Sequence, residues 1–225
     1  MEKKAAITLA LFERTPAWAS RLFPQTIWSL RERRHEIFLT FDDGPQPEFT
    51  ASLLELLAAN HARATFFLVG EKAHAYPLLV REIAAAGHAI GNHTMHHRQL
   101  RWQRRTIVHE EITLAQEVIE DCAGIPVRHF RPPYGTLRPA IFEAVKNLNL
   151  NLTMWSLMPG DVWRVNHPKA IADSITKQAR GGDVILLHDG HDCASATIAA
   201  LRESLPRLKE KGFHFSAMPN RPAKS

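Results

Sequence analysis

Two aspartates stand side by side where Thr40-Phe41-Asp42-Asp43-Gly44-Pro45 passes from an apolar stretch into a Gly-Pro turn. One carboxylate there is ordinary turn chemistry, but two in succession repel, and such a pair usually has a cation or an arginine beside it. Further along, Gly91-Asn92-His93-Thr94-Met95-His96-His97 carries histidines four residues apart. That spacing puts two imidazoles on one face if a helical turn begins here, and it suits two nitrogen ligands on one metal. His96 is a competing partner for His93, and most of the 13 histidines must be surface or core residues. Joined by a carboxylate of the Asp pair, His93 and His97 make a set that leaves coordination positions open for water and substrate. Two more segments carry chemistry. Phe130-Arg131-Pro132-Pro133-Tyr134-Gly135 is either a structural turn or a rigid loop whose arginine pairs with one of the aspartates. Leu186-Leu187-His188-Asp189 ends an apolar run in a histidine, which is either a satisfied core residue or a general acid or base.

These residues need elements to hold them. Short apolar runs at 36–41, 64–69, 89–92, 128–131, 152–157, 183–188 and 213–217 read as strands. Several are continuously apolar, as in strands covered on both faces. Amphipathic stretches near 51–59, 77–86, 106–122, 138–147, 168–180 and 197–211 read as helices. Pro77 suits a first helical turn, and Gly87 and Gly212 suit helix ends. The alternation predicts a parallel α/β fold, and a barrel and a doubly wound sheet fit it equally. Asp42-Asp43, His93, Arg131, Asp161 and His188-Asp189 follow the carboxyl ends of these strands, where barrels carry active sites. The expected organisation is an N-terminal segment at 1–35, a catalytic domain at 36–219 and a tail at 220–225.

With 225 residues, 45% hydrophobic and 23% charged, the chain can bury a core without disulfide staples. Cys122 and Cys193, its two cysteines, are expected to be thiols. A net charge of +5 comes partly from Arg31, Arg33 and Arg34 and from Arg98, Arg101, Arg104 and Arg105. Solvated surface is the preferred reading, because no nucleic-acid motif accompanies them. Lys3 and Lys4 precede an apolar run at 5–12, and Ala17-Trp18-Ala19 loosely resembles a peptidase site. Glu13 and Arg14 interrupt that run early, so the segment reads as the start of a helix in a cytoplasmic protein, with a secretory or periplasmic leader as the alternative. No stretch approaches the ~20 apolar residues of a transmembrane helix.

In order and spacing the motifs resemble the polysaccharide deacetylase family, carbohydrate esterase family four. The resemblance runs from about Glu36 to Pro219 and rests on Thr40–Pro45, His93–His97, Arg131–Gly135 and Leu187-His188-Asp189. It implies an irregular (β/α) barrel of about seven parallel strands. It also implies hydrolysis of the N-acetyl group of an amino sugar in a chitooligosaccharide, peptidoglycan or a related glycan. One divalent metal, zinc first, with cobalt, nickel, iron and manganese as alternatives, is implied on Asp43, His93 and His97. By the same resemblance Asp42, held ionised by Arg131, is the general base and His188 the general acid. The backbone N–H of Tyr134 holds the oxyanion, and Leu187 and Trp155 line an acetyl pocket. The fourth motif departs from the family pattern of two aspartates three apart followed at once by tryptophan. Met158 occupies the first aspartate position, Asp161 the second, and Trp163 comes one residue late. Asp161 is therefore expected to orient and charge His188, while Trp163's place in the groove wall is open. Asp189 is a weaker rival, since consecutive strand residues point to opposite faces. Three other readings remain: a related amidohydrolase acting on a small non-sugar amide, a non-catalytic carbohydrate-binding relative, and a nucleic-acid binder suggested by charge alone.

Overall fold

The first strand, β1 (Glu36–Asp42), shows how one sequence serves two environments. Ile37, Leu39 and Phe41 pack outward into a cluster that includes Leu53, Leu57, Leu201 and Leu205. Phe38 turns the other way, into a second cluster with Phe130, Leu152, Trp155 and Leu186. Strand period fixes this division, so Thr40 and Asp42 share the inner face with Phe38.

A computed structural model describes residues 13–190 and 192–220. The apolar run at 5–12 and residues 221–225 of the tail lie outside the described residues. Helix α1 (Ala17–Leu22) precedes β1. Then come α2 (Pro47–Ala59), β2 (Ala64–Leu68), α3 (Gly70–Ala75), α4 (Pro77–Ala85), β3 (Ala89–Asn92) and α5 (Arg105–Ala123). The chain continues through β4 (His129–Phe130), α6 (Pro139–Asn147), β5 (Asn151–Leu152), α7 (Pro168–Gln178), β6 (Val184–His188), α8 (Ala194–Glu210) and β7 (His214–Phe215). Proline begins α2, α4, α6 and α7, where its missing N–H has no helical partner to lose. Gly87, with φ 77°, leaves α4 in the left-handed conformation that glycine tolerates best. The short helices α1 and α3 were not legible as separate elements. Ala17–Ala19, weighed above as a peptidase site, lies in α1 with Ala19 buried.

The strands are parallel in the order β5-β4-β3-β2-β1-β6, and β7 pairs with the start of β1. The sheet curls into a half-barrel, which settles the choice between barrel and doubly wound sheet. The gap between β5 and β6 is spanned without regular strands. Ile27 bridges Thr153, Ser29 bridges Asp183, and Leu157 bridges Ile185. This corrects the expected strand at 152–157. Its ladder ends at Leu152, because the chain then leaves β4 and crosses to β6, where the Leu157 N–H donates to the Val184 carbonyl at 3.2 Å.

Both cysteines are free thiols. Among the basic residues, Arg98 pairs with Glu111, Arg105 with Glu143 and Arg33 with Glu36. Among the described residues no helix is long and apolar enough to cross a membrane.

Candidate active site

The carboxyl ends of β1, β3, β4 and β6 converge on a cavity of about 340 Å³. Asp42, Asp43, His93, His97, Tyr134, Trp155 and His188 all line it. Three non-glycine residues of positive φ line this cavity, Asp43 (74°), His97 (52°) and Tyr134 (57°), and a fourth, Thr94 (71°), follows His93 directly. Such backbone is disfavoured for residues with a Cβ and gathers at functional sites.

His93 and His97 reach the cavity from a loop, not from the helical turn that their spacing suggested. Asn92 ends β3 and organises that loop. Its Oδ1 accepts the Thr94 N–H at 2.9 Å, while its Nδ2 donates to the Ile112 carbonyl at 2.9 Å. His96 faces away, with its Nδ1 2.8 Å from Glu111, and so does not compete for the centre. His93 Nδ1 lies 2.6 Å from the Arg131 carbonyl, which can only accept, so Nδ1 carries the proton and Nε2 offers its lone pair. That Nε2 is 3.3 Å from Asp43 Oδ1, and His97 Nε2 is 3.0 Å from the same oxygen. One ligand atom from each of the three residues lies within 4.8 Å of the others. Two imidazole nitrogens and a carboxylate oxygen so grouped fit a first-row divalent cation, and the Arg131 carbonyl supplies the outer hydrogen bond that orients such a histidine.

Asp42 lies beside this set without belonging to it. The Arg131 Nη1 donates to Asp42 Oδ1 at 2.7 Å and to Thr40 Oγ1 at 2.8 Å. Nη2 donates to the Met154 carbonyl at 2.8 Å, and Nε to that of Thr153 at 3.2 Å. Arg131 is fully buried, with its guanidinium 4.1 Å from the Phe67 ring centroid. A buried arginine this fully bonded is fixed, and it fixes the carboxylate opposite.

Across the cavity, His188 Nδ1 stands 3.1 Å from Asp161 Oδ1, and the His188 N–H donates to Asp161 Oδ2 at 2.8 Å. Thr197 Oγ1 also donates to Oδ2, at 2.9 Å. Burial works against a charge on His188, but Asp161, aided by Asp43 and Asp42, outweighs it and raises the imidazole pKa to about 9. Asp189 points the other way and accepts the Thr50 hydroxyl at 2.7 Å.

Leu187 requires a correction. It packs outward into the helical layer, and Leu186 lines the cavity instead. Strand alternation places 186 and 188 on one face and 187 on the other. Trp163, despite its displaced position, also lines the cavity, as does Met158. The turn at Gly160 (φ 80°) allows this, since a Cβ there would stand 2.4 Å from the Trp163 ring. Sequence reasoning missed Thr40 and Thr197 as partners. Thr40 sits inside the Thr40–Pro45 motif, whereas Thr197 lies in α8 with no local signal.

Residues 30–153 match the family described as polysaccharide deacetylase. The chain is 36% identical over 190 residues to a peptidoglycan-N-acetylglucosamine deacetylase of Bacillus cereus, covering 84% of this chain and 88% of that protein. It is 37% identical over 202 residues to a chitooligosaccharide deacetylase of Azorhizobium caulinodans, covering 84% and 96%. Among solved structures, a peptidoglycan N-acetylglucosamine deacetylase in complex with 4-naphthalen-1-yl-N-oxidanyl-benzamide superposes with a TM-score of 0.84 at 32% identity, over 94% of this chain and 98% of that one.

Proposed function

We propose that this chain, which belongs to the polysaccharide deacetylase family, hydrolyses the N-acetyl group of an amino sugar within a glycan, releasing acetate and the free amine. One observation carries the reading. A carboxylate held by a buried arginine and an imidazole held by a buried carboxylate face the same cavity, with the Asp43, His93 and His97 set between them. Hydrolysis of an amide needs a proton taken from water and a proton given to nitrogen, and the site has a group suited to each.

Asp43, His93 and His97 would hold a divalent cation, zinc by choice of ligands, which supplies Lewis-acid polarisation of the acetyl carbonyl and acidifies water. Asp42 takes the proton as water attacks the carbonyl carbon. Arg131, whose Nη1 donates to Asp42 Oδ1 at 2.7 Å, aims that carboxylate into the cavity. The backbone N–H of Tyr134 is assigned to the developing oxyanion. Gly135 lets that turn sit against Trp155, because a Cβ would stand 2.7 Å from the Trp155 ring. His188, charged through Asp161, gives its proton to the amide nitrogen as the carbon–nitrogen bond breaks, since the nitrogen leaves poorly as an anion. Trp155, Leu186 and Met158 supply apolar wall for the acetyl methyl.

Acetate release from N-acetylated chitooligosaccharides, measured beside simple acetamides of similar reactivity, tests the substrate class. Faster release from the oligosaccharides is expected. Preference for the simple amides would identify a small-molecule amidohydrolase instead.

A further inference from the structure

Behind the cavity, the Lys72 ammonium donates to two main-chain carbonyls, that of Asp43 at 2.8 Å and that of Gly190 at 3.0 Å. These belong to the two segments that must face each other: one carries Asp43, and the other follows His188 by two residues. The segments already touch, because a Cβ on Gly190 would lie 2.0 Å from the Asp43 carbonyl oxygen. Lys72 belongs to α3, whose first residues are tied to the same region. The Val69 N–H donates to the Gly44 carbonyl at 3.0 Å, Gly70 to Thr94 at 2.9 Å and Glu71 to Met95 at 3.0 Å. Gly70 permits this closeness, since a Cβ there would meet the Met95 sulfur at 2.6 Å and the Ala115 backbone at 3.2 Å. Helix α3 thus reaches the loop of Asp43 and the loop of His93 and His97 together.

We propose that Lys72 is a positioning residue that fastens the Asp43 backbone against Gly190 and so holds the Asp43 carboxylate opposite His93 and His97. The need for a fastener is local. Asp43 sits at φ 74°, a conformation that an aspartate leaves readily unless its neighbours hold it. Lysine suits the task because one ammonium has several donors and can serve two carbonyls from different segments. Two effects of opposite sign follow from removing it. The lost cation no longer repels a nearby dication, which tightens metal binding. The lost hydrogen bonds free the Asp43 backbone, which weakens it. Outer hydrogen bonds that orient ligands are typically worth roughly 10–100-fold in metal affinity, so weakening should win.

The proposal rests on Asp43, His93 and His97 being the metal set, and cobalt(II) titration separates the two claims. The wild-type chain, Lys72→Met and Lys72→Arg are stripped of metal and titrated with cobalt(II), with binding followed by visible absorption. Thermal midpoints of the stripped proteins are measured alongside to confirm folding. Lys72→Met should bind cobalt(II) about tenfold more weakly or worse, and Lys72→Arg, which keeps charge and donors, should recover most of the loss. If Lys72→Met does not fold, Lys72→Gln takes its place with the same expectation. A neutral variant that binds as tightly as wild type, or more tightly, overturns the proposal alone. A wild type that binds no cobalt(II) overturns the metal set and the proposal together.

Discussion

Asp42 and Asp43 are neighbours in sequence with separate tasks, and the separation is visible in their partners. Asp43 Oδ1 stands 3.3 Å from His93 and 3.0 Å from His97, whereas Asp42 is bonded to a guanidinium at 2.7 Å and lies 3.7 Å from His93. Replacing Asp42 with Asn keeps size and removes the proton acceptor, so turnover should fall by about 10²–10⁴-fold. Metal content should be unchanged, as measured by elemental analysis beside the rate. Loss of metal from that variant would mean that the two roles are exchanged. His188 and Asp161 give a pH prediction. Without a cation on Asp43, the His188 pKa is raised to about 9 from an ordinary 6.5, so in the metal-free chain the imidazole keeps its proton as pH rises and loses it through about 9. The stabilisation from its charged form follows the same window, complete below 6.5 and gone above 9. Asp161→Asn removes the main force raising that pKa. The alkaline limb of the pH–rate profile should therefore move to lower pH, with reduced turnover and unchanged metal content. An unshifted limb with near-normal turnover would return Asp161 to a purely structural role.

Elements explain why some of this was legible and some was not. Strand alternation was readable, and it places Asp42, Leu186 and His188 on the inner face; applied to the acetyl wall, it would have chosen Leu186 over Leu187. The histidine spacing was readable too, but not the loop that carries it. That loop depends on Asn92 bonding to α5, far along the chain. Lys72 and Thr197 lie on helices of ordinary composition, so only packing reveals them. The altered fourth motif is braced by a strap from the N-terminal segment. The Glu13 carbonyl accepts the Met158 N–H at 2.7 Å, and its carboxylate receives Arg164 and Gln178. Arg14 makes a two-pronged pair with Asp183 at 2.9 and 3.0 Å. Arg14→Gln should lower stability by about 1–2 kcal/mol, discounting for the exposed side of the arginine. In a chain of this size that is a fall of a few degrees, about 2–8 °C, in the thermal midpoint. An unchanged midpoint would show that Glu13 and the backbone bonds hold the strap without Arg14.

At the scale of the whole molecule, local pattern predicted parallel strands and helices, but closure of the half-barrel was beyond it. Closure depends on Ile27, Ser29, Thr153 and Leu157, which meet distant partners through single bridges with no periodic signature. The order of strands matters to function because it sets β1 between β2 and β6, and so brings the Asp pair between the histidine loop and His188. Two apolar clusters hold that arrangement: one packs β1 and β6 against α2, α7 and α8, and the other runs from Phe38, Trp155 and Leu186 to Ile112 on α5 and Ile141 on α6. A cation at the strand ends and an N-acetylated glycan above it together make the central claim. The most direct test is acetate release from an N-acetylated chitooligosaccharide by protein stripped of metal, before and after zinc or cobalt is returned at one equivalent per chain. Metal-dependent hydrolysis requires that the stripped protein be inactive and that one equivalent restore turnover. Full acetate release by the thoroughly stripped protein would contradict it.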